Sequence, residues 1–295
     1  MTKNGRNRNL GGNREFSPFV PLAMFIVLCI LLAAIGLFRE FKKDAHGPVN
    51  PLSVIEKKLS LRVKKRPPAP PPTGKVRIAL VIDDMGWNKE ISKEIEKINR
   101  PLTLSFLPKA PYSKDIFDAM KKNEHFELIL HLPLEPGPPA QCFDKGLIKT
   151  GMSKEEIVRQ FSDNIHDFYP HVKGMNNHMG SLFTADEEKM RILLAEAQSK
   201  NMFFVDSMTT KKSRGYEIAK EMGIKTAQRD VFLDNESSPA YIEKQVRELV
   251  ETAKKQGTAV GIGHARKNTI SVLKNIIPEI EKEGVEIVPV SALLE

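Results

Sequence analysis

The chain has 295 residues, is 41% hydrophobic and carries a formal net charge of +8. Its two cysteines exclude a disulfide-stapled scaffold, and its apolar content is enough for a sizeable core. Residues 1–75 hold fourteen Lys/Arg and four Asp/Glu, a net of +10; the other 220 residues therefore carry +8 less +10, or −2. The folded part thus lacks the excess positive charge that drives nucleic-acid binding.

Residues 1–15 are polar and basic and predict a cytoplasmic tail. From Phe16 to Phe38 no residue is charged. Those 23 positions would cross a hydrocarbon core of ~30 Å as a helix. Pro18 and Pro21 stand at the start of the run, where proline is tolerated. The run is long for the apolar part of a signal peptide, and no small-x-small site closes it. An uncleaved signal anchor is expected. Leu28 is too large for a lipid-attachment motif at Cys29. Four Lys/Arg precede the run (Lys3, Arg6, Arg8, Arg14) and three follow it closely (Arg39, Lys42, Lys43). That balance places the N-terminus in the cytoplasm and the folded part on the periplasmic or extracellular side of the cytoplasmic membrane.

Residues 39–74 read as a linker. Lys57 to Arg66 is strongly basic, and Arg66 to Gly74 (RPPAPPPTG) is a proline tract. Such a tract is extended and semi-rigid, which suits a spacer.

Residues 75–295 alternate strands and helices. Val76–Ile82 (VRIALVI) is apolar except for Arg77, the pattern of a strand buried on both faces. Asp83 and Asp84 follow it at once. A polar helix is predicted from Lys89 to Ile98, then a strand over 102–107 and a helix over 113–122. Phe126–Leu132 (FELILHL) is a second buried strand, ending near His131. A Gly/Pro-rich loop over 134–141 comes next. Ser153 with Glu156 makes a capping box for a helix reaching about Phe168. Gly174–Ser181 (GMNNHMGS) reads as a strand bearing His178, and 185–199 as an amphipathic helix. Met202–Val205 is a strand ending in Asp206. A short helix over 216–222 and the segment Asp230–Asp234 (DVFLD) follow. Ala240–Gln256 is a long helix, and Thr258–Ile262 a strand ending at Gly263-His264. A helix over 269–283 is expected to break near Pro278. A strand over 285–290 is expected to close the sheet.

This order predicts an α/β domain with a mainly parallel, barrel-like sheet; a doubly wound open sheet is the alternative. No glycine-rich dinucleotide fingerprint or P-loop is present. Polar residues able to do chemistry recur where apolar strands stop: Asp83, Asp84, His131, His178, Asp206 and His264. Parallel folds gather such ends into one cleft. His and Asp together suit zinc or a similar divalent ion. Adjacent strand residues point to opposite faces, so Asp83 and Asp84 are expected to have different roles. Glu135, four residues after His131, is a further ligand candidate and equally a loop acid.

The segments VIDDMG, HLPLEP, NNHMGS, FVDS and GIGHA, in that order, resemble the divergent polysaccharide deacetylases, the YibQ-like family. The resemblance spans residue 75 to about 292. It implies kinship with NodB-type carbohydrate deacetylases, hence a distorted (β/α) barrel, a divalent metal (zinc by preference) and an acetylated polysaccharide substrate such as peptidoglycan or exopolysaccharide. It further implies that Asp83 is the catalytic base, Asp84 a metal ligand and His264 the late catalytic histidine. His131 matches the first member of the relatives' His-x-x-x-His pair, and Glu135 stands where the second would be. His178, near the position of the relatives' Arg-Pro motif, is available to supply the missing imidazole.

Two other readings compete. One is a catalytically silent polysaccharide-binding or envelope scaffold protein on the same fold. The other is a glycosidase pairing Asp83 with a second acid such as Asp206.

Overall fold

The computed structural model describes residues 74–142 and 144–295. These residues lie within one compact unit, Pro68–Glu295. The predicted tail, apolar run and most of the linker fall outside them. Among the described residues no helix is long and apolar enough to cross a membrane.

Among the described residues nine strands form one sheet. They are β1 (Arg77–Met85), β2 (Leu102–Phe106), β3 (Phe126–Leu134), β4 (Gly174–Met179), β5 (Phe203–Asp206), β6 (Thr226–Gln228), β7 (Val231–Phe232), β8 (Thr258–His264) and β9 (Glu286–Ile287). The helices of the described residues are α1 (Lys89–Glu96), α2 (Ser113–Met120), α3 (Lys154–Ile165), α4 (Glu187–Ser199), α5 (Gly215–Glu221), α6 (Pro239–Gln256) and α7 (Lys267–Lys282). The strand order is 6-5-4-3-2-1-8-7, with β9 added to β1, and every pairing is parallel. The end strands β6 and β7 do not pair with each other, so the sheet does not close.

Local sequence explains the helix starts. Asn88 caps α1 by accepting from the amides of Glu90 and Ile91. The capping box of Ser153 and Glu156 opens α3 as predicted. Ser238 caps α6, with Pro239 in the first turn. Pro278, expected to break the last helix, lies inside a continuous α7. It is on the exposed face, where water can satisfy the carbonyl that loses its amide partner. The final predicted strand is shorter than expected: only Glu286 and Ile287 join the sheet, beside β1, and Val290–Leu293 is a 3₁₀ turn.

Strand alternation sorts the core into two layers. Ile78, Leu80 and Ile82 of β1 face the helices, as do Leu128, Leu130 and Leu132 of β3 and Phe204 of β5. Phe106, Phe117 and Phe168 stack in this layer, with edge-to-face contacts at 5.2 and 4.9 Å, each adding ~0.5–1.5 kcal/mol beyond area burial. Ala79, Val81, Ile129, Phe203, Val205, Val260 and Ile262 form the second layer, on the other face of the sheet. Val290, Leu293 and Leu294 of the C-terminal segment pack on that second layer. The Val290 and Ser291 amides donate to Thr103 and Glu127, near the starts of β2 and β3. The C-terminus thus covers this face at the amino ends of the strands and leaves the carboxyl ends free.

A candidate metal centre at the strand ends

Asp83, His131, Asn176, His178 and His264 share the parity of the second layer, so they extend from one face of the sheet beyond its apolar part. The registers put Asp83 beside His264, His131 beside Asn176 and Pro133 beside His178. Asp84 should point the other way by alternation. It does not, because the β1–β2 register shifts between Ile82 and Met85 and Asp84 takes φ 60°. The irregularity re-aims its carboxylate into the cluster. Aspartate tolerates this left-handed backbone better than most residues. Both acids therefore reach one site, and their roles differ by contact rather than by opposite faces.

Three donor atoms converge. Asp84 Oδ1 is 3.3 Å from His131 Nε2 and 3.2 Å from His178 Nδ1, and the two ring nitrogens are 3.0 Å apart. Nitrogen or oxygen ligands of one tetrahedral zinc-sized ion sit about 3.3 Å from one another. Asp84 Oδ1 is buried and has no hydrogen-bond donor of good geometry. An oxygen so placed between two imidazoles fits a cation. Asp84, His131 and His178 thus form the set that could hold a metal ion.

The surrounding hydrogen bonds fix the imidazole tautomers. The Asn176 amide nitrogen donates to Asp83 Oδ1 (2.8 Å), so its oxygen is the acceptor that faces His131 Nδ1 at 2.8 Å. Ser105 Oγ donates to that same oxygen (2.6 Å). His131 Nδ1 therefore carries the proton, and Nε2 presents its lone pair to the cluster. His178 is held the other way round. Its Nε2 is 3.0 Å from Asp144 Oδ2, which also accepts from Cys142 Sγ (3.3 Å), leaving Nδ1 for the cluster. Cys142, Asp144 and His178 could also group around an ion, but they are shallower than buried His131.

Asp83 and His264 flank this set. Asp83 is 3% exposed, and its Oδ2 lies 3.7 Å from His131 Nε2. Burial raises its pKa, against the pull of His131, His264 and the Asn176 bond. His264 Nδ1 is 2.8 Å from Asp234 Oδ1, and its Nε2 faces Asp84 Oδ2 at 3.9 Å. Fully buried Asp234 also accepts from the His264 amide and the Thr269 hydroxyl. Burial alone would lower the pKa of His264; the bond to Asp234 and the charge of Asp83 overcome it and raise it. For Asp84, burial is likewise outweighed by His131 and His178, which hold its carboxyl well below the usual range.

Two expectations need correction. Asp206, read as catalytic, has the parity of Phe204 and so faces the helix layer. Its oxygens accept from the amides of Met208 and Tyr216 and from Ser213 Oγ. It organises the β5–α5 turn and makes no contact with the cluster, which also removes the Asp83–Asp206 glycosidase pair. Glu135 is no ligand either: its Oε2 accepts from the amide and hydroxyl of Thr150 (2.8 and 2.6 Å) and ties the two ends of the β3–α3 connection together. Conversely the structure adds Asn176, Asp234 and Asp144, none of which is among the site residues expected from the sequence. Asp234 closes DVFLD, the same strand-then-acid signal that singled out Asp206.

Entry of a cation must displace a proton from His178. Burial lowers its pKa, but the contacts with Asp84 and Cys142 prevail and push it up to about 9. The sign follows: the protonated, non-ligating form dominates at neutral pH and is lost as pH rises. Zinc affinity measured by chelator competition should strengthen as pH rises toward that value, by roughly tenfold per pH unit for each imidazole proton displaced, because the pKa of His131 is raised as well. A flat profile between pH 6 and 8 would remove His178 from the ligand set.

The chain thus combines a parallel, unclosed α/β sheet with a candidate His/His/Asp ligand set at its carboxyl end. Residues 80–294 match the family described as divergent polysaccharide deacetylase, and the chain belongs to that family. It is 34% identical over 215 residues to an uncharacterized protein of Haemophilus influenzae, covering 70% of this chain and 75% of that protein. It is 28% identical over 218 residues to the uncharacterized protein YibQ of Escherichia coli K12, covering 74% and 67% respectively. A crystal structure of an uncharacterized Agrobacterium tumefaciens C58 protein aligns with TM-score 0.70 at 23% identity, over 76% of this chain and 92% of that one. This last likeness concerns the fold alone.

Proposed function

We propose that the chain is a metal-dependent deacetylase of acetylated cell-envelope polysaccharide, with peptidoglycan and exopolysaccharide as the substrate classes. The observation that carries this reading is the approach of Asp84, His131 and His178 to within 3.0–3.3 Å of one another, flanked by Asp83 and the His264–Asp234 pair. The family membership supports the substrate class. The unclosed parallel sheet supports the NodB-type distorted barrel expected from the sequence.

A bound divalent ion, zinc by preference, would acidify a water and polarise the acetyl carbonyl. The protein's own groups do the rest. Asp83, with a raised pKa and one oxygen held by Asn176, accepts the proton of the attacking water. His264 donates from Nε2 to the departing amine or alkoxide, while Asp234 keeps the ring oriented and charged. Acetate release from acetylated glycans by the full-length protein, abolished by chelator, tests the reading. Binding of glycan without release, by protein loaded with metal, would favour the silent scaffold instead.

Residues 16–38 are the basis for placing this domain outside the cytoplasmic membrane on a single anchor. Protease added to intact spheroplasts should digest the folded domain. Complete protection would reverse the orientation, and a mature protein beginning after Phe38 would make the segment a cleaved signal.

A further inference from the structure

The loops leaving β1, β2 and β3 enclose a cavity of about 300 Å³. Trp87, Pro108, Lys109, Pro111 and Lys145 line it, and so does Asp144, the acid that faces His178 Nε2. The cavity therefore adjoins the metal-centre residues. Among the described residues four large apolar side chains stand exposed, namely Trp87, Tyr112, Tyr169 and Leu182. Three of them, all but Tyr169, sit in loops that leave the carboxyl ends of β1, β2 and β4.

Trp87 is three residues beyond Asp84 and 52% exposed. Its mount is rigid. Gly86 has φ 118°, and a Cβ there would run into the Ser113 hydroxyl. That hydroxyl bonds the Leu107 carbonyl, and the Tyr112 amide donates to Gly86 O at 2.9 Å. A fixed, half-exposed indole on a cavity wall is a surface prepared for a flat apolar face, such as the C–H face of a pyranose ring. The charge of the cavity is distinctive as well. Lys109 reaches the Asp163 carbonyl (2.9 Å) and, less closely, its carboxylate (3.7 Å). Lys145 is exposed and has no ion pair among the described residues. Asp144, the acid on this wall, faces His178. Two lysines thus collect in a part of the chain whose net charge is −2 by the count above.

We propose that this cavity is a saccharide subsite that stacks a sugar ring on Trp87 and pairs an anionic substituent of the glycan with Lys145. The inference rests on the deacetylase reading and narrows its substrate to an anionic acetylated polysaccharide.

Trp87 is the sole tryptophan of the chain, so its fluorescence reports on this cavity directly. The full-length, zinc-loaded protein is titrated with two tetrasaccharides. One is neutral N-acetylglucosamine tetramer; the other alternates N-acetylglucosamine with N-acetylmuramic acid, whose lactyl groups are carboxylates. Both should change the emission, the anionic one binding ~10-fold more tightly. By calorimetry, Trp87→Ala should weaken both by ~10-fold or more. Lys145→Glu should weaken the anionic glycan by a similar factor and the neutral one less than about twofold. Both side chains are exposed, and circular dichroism verifies the fold of each variant. Equal affinity for the two glycans, unaltered binding by Trp87→Ala, or no binding of either glycan overturns the subsite. Acetate release with unaltered binding by both variants would sink the subsite and leave the deacetylase standing. Trp87-dependent binding without acetate release from any acetylated glycan would do the reverse.

Discussion

Asp84→Asn, His131→Ala and His178→Ala should each purify depleted of metal, whereas Asp83→Asn should keep it at near wild-type stoichiometry. The prediction follows from which atoms meet. Asp84 Oδ1, His131 Nε2 and His178 Nδ1 are mutual neighbours, while Asp83 gives one oxygen to Asn176 and holds the other 3.7 Å from His131. Loss of one ligand in three weakens binding well beyond the 10–100-fold typical of changes to groups that merely orient ligands. Asp144→Asn belongs to that milder class, because an amide oxygen can still accept from His178 Nε2. Asp83→Asn should instead lose turnover by ~10²–10⁴, the usual reach of a general base. Elemental analysis beside circular dichroism decides the matter. A folded Asp83→Asn protein without metal, beside an Asp84→Asn protein that retains it, would exchange the two roles. Wild-type protein that takes up no divalent ion would sink the centre and shift the weight to a binding or scaffold function.

The legible part of this fold was the part written in apolar periodicity. Val76–Ile82, Phe126–Leu132 and Thr258–Ile262 read as buried parallel strands because helices or core cover both their faces, and all three are strands. The histidines at or near their ends could be placed for the same reason. Parity was harder. Asp206 and His264 both follow apolar strands, yet one faces the helices and the other the cluster. A strand buried on both faces gives no polar-apolar alternation to tell them apart. Asp84 defeats strand logic altogether, because its direction comes from a register shift and a positive φ rather than from alternation. Asn176 lies inside the NNHMGS segment but carries no charge. Its importance is a pair of hydrogen bonds to Asp83 and His131 that only the folded arrangement creates. Glu135 erred in the opposite sense: its spacing from His131 suits a ligand, and its side chain went to Thr150.

Asp234→Asn should cost turnover without costing metal, and should move the pH profile in a defined direction. Asp234 is fully buried and reaches no ligand atom; its partners are the ring and amide of His264, Thr269 Oγ1 and Arg266. Its negative charge is one of the causes that raise the pKa of His264 against burial. With that charge removed, only Asp83 and Asp84 are left to oppose burial, and the pKa falls. His264 as general acid must be protonated, so the alkaline limb of activity should shift to lower pH. At neutral pH kcat/KM should drop by ~10²–10⁴, comparable to loss of the acid itself in His264→Ala. The asparagine conserves volume and still accepts the hydroxyl and amide bonds with its oxygen. Asp234→Ala would also strand those buried donors, at about 1–3 kcal/mol each, and confound catalysis with stability. An unshifted alkaline limb with full activity in Asp234→Asn would show that the pair serves structure alone. Loss of metal in the same variant would instead bring His264 into the ligand set.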